Sequence, residues 1–247
     1  MSNYGAKSHQ TSTQALYICY HTGLMGLPIT TPEFLSPAYA SGVLPDITVD
    51  NLATARDVGW ESIGIGPIII DRATGHVLVV KHRPTEKLPA GPWGIPTETT
   101  KYQDLEGKRI VPETFLDTFS RLVFQELGFD PRGVRWEASP RNYIVRSAEI
   151  ADAPGRGIIA VCPGIYADAE EILNRFTPNG EIEEIQFMPP EKAMMIPNMR
   201  PSRAAFIGAA AASGLLHYNP GSVEPLTLPD PTAFLDAPDI KMSTMSL

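Results

Sequence analysis

One segment of this 247-residue chain constrains its fold more than any other. Phe115, Leu116, Phe119, Leu122, Val123 and Leu127 recur at helical spacing, so a helix with one wide apolar face is expected over 112–127. Pro112 suits a first helical turn, where a missing N–H costs nothing, and Gly128 stands where a left-handed cap ends a helix. An apolar stripe of this width needs a cover, and the residues upstream supply one. Residues 63–70 (Ile-Gly-Ile-Gly-Pro-Ile-Ile-Ile) read as a buried strand, 71–76 as turn chemistry, and 77–83 as the returning strand. Further strands are expected at 134–137, 142–146, 157–166 and 183–187. A last helix is expected over 202–216, with Ser202 as its N-cap.

The whole chain is rich in breakers, with 24 prolines and 20 glycines, which predicts short elements and long connections. They gather in an N-terminal extension (1–58), in the stretch 84–107 and in a proline-rich tail (219–247) that is draped or mobile, and a central domain is expected over 59–218. Within the extension one helix is expected inside 45–56, capped by Thr48 or Asp50. The stretch 84–108, around Trp93-Gly94-Ile95-Pro96, reads as a long loop, and loops of that length are functional or disordered.

Composition excludes several classes. A chain 43% hydrophobic and 19% charged is not disordered throughout. Its net charge of -8 disfavours nonspecific binding to nucleic acid or to anionic membrane. Cys19 and Cys162 make no disulfide framework, and Cys162 reads as a buried inert thiol. The N-terminus lacks a secretory pattern, and the longest apolar run, 204–216, is too short to span a bilayer, so a cytoplasmic protein is expected.

Gly107, five residues, Glu113, seven residues and then Arg121-Leu122-Val123-Phe124-Gln125-Glu126-Leu127-Gly128-Phe129 resembles the Nudix box, G-x5-E-x7-R-E-U-x-E-E-x-G-U with U a bulky apolar residue. Both spacers match without a gap. A Trp-x-x-Pro element (Trp93, Pro96) precedes the box, and an acidic strand with Pro-Pro-Glu (183–191) follows it, as in that family. The resemblance covers roughly 60–217 and implies an α/β (α+β) fold, a Nudix-like α/β/α sandwich in which a mixed, curved sheet lies between the two helices.

The same resemblance implies a metal-dependent hydrolase of a nucleoside-diphosphate-linked or other organic diphosphate. Family members hold Mg²⁺ or Mn²⁺ with three box carboxylates. Positions 122, 125 and 126 are i, i+3 and i+4 on a helix and share one face. Here that face reads Leu122, Gln125 and Glu126, so one carboxylate stands where three are expected. On this resemblance Glu126 and Gln125 would bind metal, Glu126, Arg121 and Glu184 would serve catalysis, and Lys81, Arg83 and Trp93 would contact the substrate. Glu98, Glu106, Glu181 and Glu183 are further acids that could rescue the metal. Two other readings stay open: a non-hydrolytic nucleotide- or ligand-binding, regulatory protein, and a repurposed biosynthetic enzyme. A homodimer, with the N-terminal extension as its route, is also open.

Overall fold

The computed structural model describes residues 40–41, 44–45, 62–86, 91–105, 109–150 and 153–239. Gly107, Glu106, Cys19 and the helix expected within 45–56 lie outside the described residues. A two-residue pair, Ala40–Ser41 with Leu44–Pro45, precedes the main sheet.

The main sheet is built from β1 (Ser62–Ile65), β2 (Ile68–Asp71), β3 (Val77–His82), β4 (Trp93–Gly94) and β5 (Glu98–Thr99). The hairpin β6 (Tyr102–Leu105) and β7 (Arg109–Pro112) leads to α1 (Phe115–Leu122). Then follow β8 (Glu137–Ile150), β9 (Ala153–Ala167), α2 (Ala169–Arg175), β10 (Ile182–Met188), α3 (Pro190–Met194), α4 (Pro201–Ala212) and β11 (Glu224–Pro225). The sheet runs β10-β3-β2-β9-β8-β11, and β1 joins β9 to β5. It is mixed: β1 and β2 both run parallel to β9, whereas β2–β3, β3–β10 and β8–β9 are antiparallel.

Alternation along the strands sorts their side chains into two cores, because successive residues of a strand point to opposite faces. Ile69, Leu78, Val80, Ile165 and Ala167 pack on one face with Phe115, Phe119, Leu122 and Leu127 of the α1 segment. Ile68, Ile70, Val77, Val79, Cys162 and Tyr166 pack on the other with Phe206, Ile207 and Ala210 of α4. The result is an α/β/α sandwich around a mixed sheet, the architecture that the box resemblance implies.

Several boundaries differ from expectation. The strand expected over 63–70 is two strands, broken at Gly66-Pro67. Proline has no N–H to give a ladder, and a methyl on Gly66 would lie 3.3 Å from Cys162 Sγ. The stretch 84–108 carries β4, β5 and β6. Pro112 belongs to β7, and α1 starts later because Thr114 closes a capping box with Asp117. The strand expected at 134–137 begins only at Glu137, since Trp136 is buried and donates Nε1–H to the Pro131 carbonyl (2.8 Å) across a 3₁₀ turn. α4 begins at Pro201, not Ser202, with its preset φ at the first position and Arg200 as a cap that makes no side-chain cap bond.

Residues 219–239 are draped along the sandwich and tied to it. β11 pairs with Glu137 and Ala138, Leu228 is buried in the first core, and Ser120 Oγ donates to the Pro229 carbonyl (2.7 Å). Lys101 Nζ donates to the Leu235 carbonyl (2.7 Å). Among the described residues no helix is long and apolar enough to cross a membrane.

Candidate functional site

The segment from Glu113 to Gly128 is organised around one buried ion pair. Glu113 is fully buried between β7 and α1, and Arg121 lies two turns along the helix. Arg121 Nε donates to Glu113 Oε1 (2.7 Å) and Nη2 to Glu113 Oε2 (2.8 Å), a fork that fits a carboxylate. Its remaining donors reach the Thr99 carbonyl (2.7 Å), Gln125 Oε1 (2.9 Å) and Glu98 Oε2 (3.1 Å). Burial works against the Arg121 charge, but the Glu113 hydrogen bonds and the Glu98 and Glu113 charges hold its pKa above the usual value. Lys101 N–H (2.7 Å) and Thr118 Oγ (3.1 Å) also donate to Glu113, so every strong group in the cluster is partnered. Arg121 thereby ties β5 to the helix.

After Leu122 the helix widens into a π turn, Val123–Leu127, and stops at Gly128 in the left-handed region (φ 77°). A side chain there would collide with the Thr177 carbonyl at 2.6 Å, which accounts for the glycine. The exposed carbonyls of the last turn are partly met by Asn179, whose Nδ2 donates to the carbonyls of Gln125 and Glu126 (2.9 Å each). Asn179 also accepts from Arg83 Nε through its own carbonyl (2.5 Å), which couples the helix end to the end of β3.

Positions 122, 125 and 126 do not converge here. Leu122 is wholly inside the first core. Gln125 is exposed, and its Oε1 is occupied by Arg121. Glu126 is buried: Oε1 takes a long hydrogen bond from Thr97 N–H (3.4 Å), and Oε2 has no partner. Burial, then the charges of Glu98 and Glu181, push the Glu126 carboxyl well above the usual carboxylate range. Burial likewise raises Glu98 against the pull of Arg121.

A buried acid whose folded pKa is raised binds more protons folded than unfolded, so it weakens the fold as pH rises from 4.5 toward the raised value. Urea midpoints for wild type should show that loss, worth about 1.4 kcal/mol for each tenfold difference in proton affinity between the folded and unfolded carboxyl, and Glu126→Gln should remove it. Parallel stability profiles for the two proteins would contradict the burial of an uncompensated carboxyl.

The donor set around Glu126 does not fit a divalent cation. Glu126 has one open oxygen, and Glu181, whose charge reaches it, lines the neighbouring cavity. Glu98 spends both oxygens on Arg121 and Thr99 N–H, and Leu122 offers none. Among the described residues no group of three or more His, Cys, Asp or Glu is placed to hold a metal ion. A hard divalent cation asks for several oxygens at once.

The other residues proposed from sequence separate. Lys81 is paired with Glu183 (2.5 Å) at a partly exposed strand end. Glu184 stands opposite Lys81 in the β3–β10 register and accepts from Gln186 Nε2 (2.5 Å). Trp93 is half-buried against the second core, and its backbone clamps the entry to α4: its N–H donates to the Asn198 carbonyl (3.1 Å) and its carbonyl accepts from Arg200 N–H (2.9 Å). Arg83 lines a cavity of about 290 Å³ together with His82, Thr85, Gly180, Glu181 and Arg200.

Two arginines absent from the sequence-based set lie beside Glu126. Arg203 Nη2 donates to Thr97 Oγ1 (3.0 Å), the residue whose N–H reaches Glu126, and its guanidinium lies 5.2 Å over the Phe206 ring. Burial first, then the charges of Arg200 and Arg203, lower the His82 pKa to about 4, so that imidazole is neutral at ordinary pH. The signal for them was available in Arg200-Pro201-Ser202-Arg203. Two cations at the start of a helix oppose the helix dipole, an arrangement that asks for a reason.

No protein-family model and no curated protein sequence matches the chain. Among solved structures it is similar to a MutT protein from Methanosarcina mazei at 16% identity and a TM-score of 0.44, over 62% of this chain and 94% of that one. It is also similar to a C. elegans Ap4A hydrolase (12%, TM-score 0.44, 61% and 96%). A third is the NUDIX domain of Shewanella oneidensis NrtR complexed with ADP ribose (12%, TM-score 0.39, 67% and 98%). None of these scores reaches 0.5.

Proposed function

We propose that this chain is a Nudix-superfamily protein that binds an organic diphosphate, of the nucleoside-diphosphate-linked kind, beside Glu126, without the metal cage of the family's hydrolases. One observation carries the reading: the buried Glu113–Arg121 fork and the left-handed Gly128 keep the loop-and-helix frame of the box, while Leu122 and Gln125 turn away from Glu126. In this reading Arg121 positions the helix, Arg83 is a phosphate contact, Lys81 is neutralised by Glu183, and Trp93 holds the α4 entry in place.

Metal-dependent hydrolysis is the second reading, favoured by the single open oxygen of Glu126. It would use Mg²⁺ or Mn²⁺ on Glu126 and Gln125 with Glu184 as base. The two part in one assay. The full chain is offered ADP-ribose, UDP-sugars and dinucleoside polyphosphates, with magnesium or with EDTA, and both binding heat and phosphate or nucleoside monophosphate release are followed. The expected result is saturable binding without turnover. EDTA-sensitive release would establish the hydrolase instead, and neither binding nor release would sink the diphosphate ligand altogether.

A further inference from the structure

Two arginines gather beside the carboxylates of Glu126 and Glu181 at this site. Arg200 caps α4, with its N–H held by the Trp93 carbonyl and its own carbonyl accepting from Arg203 N–H (2.9 Å). Its Nε is buried and without a hydrogen-bond partner, a costly state for a guanidinium donor. Arg203, one turn along, adds a second positive charge at the same helix start, where the dipole is also positive. Burial and the neighbouring Arg200 charge depress the Arg203 pKa to about 10.

Arg200 opens onto the 290 Å³ cavity, opposite Arg83, whose Nε is anchored on the Asn179 carbonyl. The cavity wall includes Gly180, beside which no heavy atom lies within 4 Å of a Cβ position, so a ligand can approach the backbone there. Glu181 also lines it, and the charges of Glu126 and Glu181 both act on Arg200. The pocket thus brings two guanidiniums together beside a neutral His82, in a chain whose total is -8.

We infer that the pocket between Arg83 and Arg200 holds a phosphate or diphosphate group directly on guanidinium donors, with no divalent cation between protein and ligand. This rests on the diphosphate-binding reading above and says which groups carry the charge. An anion there would accept from the guanidiniums that line the cavity, compensate two like charges, and align with the α4 dipole.

The test is calorimetric titration of the full chain with inorganic pyrophosphate, in EDTA and in magnesium. Saturable binding is expected in EDTA, with no gain from magnesium. Arg200→Gln should raise Kd by about tenfold or more, the loss of a charge-assisted hydrogen bond. Arg83→Gln should weaken binding in the same direction and decides the matter if Arg200→Gln does not fold by circular dichroism. Binding that requires magnesium, or folded variants that bind as wild type does, overturns the inference. If pyrophosphate fails but a nucleoside-diphosphate-linked ligand still binds, the arginine site is wrong and the ligand class stands. If neither binds, the ligand class itself falls.

Discussion

Replacing Arg121 with methionine should cost about 3–5 kcal/mol of folding stability, read as a fall in the urea midpoint at constant slope. The size follows from where the partner is left. Glu113 and Arg121 are 0% and 1% exposed, so water cannot take the place of the lost guanidinium. Lys101 N–H and Thr118 Oγ would remain on Glu113, but two neutral donors do not balance a buried charge. The same substitution removes the donors to the Thr99 carbonyl, to Glu98 and to Gln125, which releases β5 from the helix. A second substitution separates these effects. Glu113→Gln in the Arg121→Met background removes the stranded charge and should recover part of the loss, because a buried pair is worth less net than its breaking costs. A loss below about 1 kcal/mol for Arg121→Met would mean the pair behaves as a surface ion pair.

Leu122→Glu should be nearly as damaging, although glutamate is what the Nudix box carries at the matching position. Leu122 is fully buried in the core with Phe119, Val123 and Ile165. Losing its packing and introducing a carboxyl there should cost about 3–5 kcal/mol. The introduced acid would be driven to its neutral form, with a folded pKa above the unfolded one. Its cost should therefore grow as pH rises past the ordinary glutamate range, and unfolding curves in acidic and neutral buffer would show it. Gln125→Glu is the contrast: it is exposed and already touches Arg121, so the protein should keep its stability. Should Leu122→Glu fold as well as wild type and gain magnesium-dependent hydrolysis, the packing of Leu122 against the sheet would be refuted.

The frame of the domain was legible from residue pattern. The apolar stripe of 115–127, the alternating strand pairs around 71–76 and the glycine at 128 all report local preferences or the periodicity of one face, and these are properties of a short window. The reach of the box pair was legible too, because Glu113 and Arg121 stand two helical turns apart. Other features needed the partner in space. The break at Gly66-Pro67 answers to Cys162, nearly a hundred residues away in the sequence. The residues after 218 carry no amphipathic period, yet Leu228 fills the first core and β11 extends the sheet.

The site divides along the same line. Sequence alone determined that one box carboxylate, Glu126, stands where three are expected, since that is a matter of residue identity and spacing. Helical spacing also put 122, 125 and 126 on one face. Only the tertiary structure decided where each of them lies: the core claimed Leu122, Arg121 claimed Gln125, and Glu126 is buried in a π turn. It decided as well that Arg200, from the far end of the domain, comes to lie beside Glu126. Local spacing says which side chains could meet, whereas burial and competition for partners, which arise only when distant segments pack, settle which of them do.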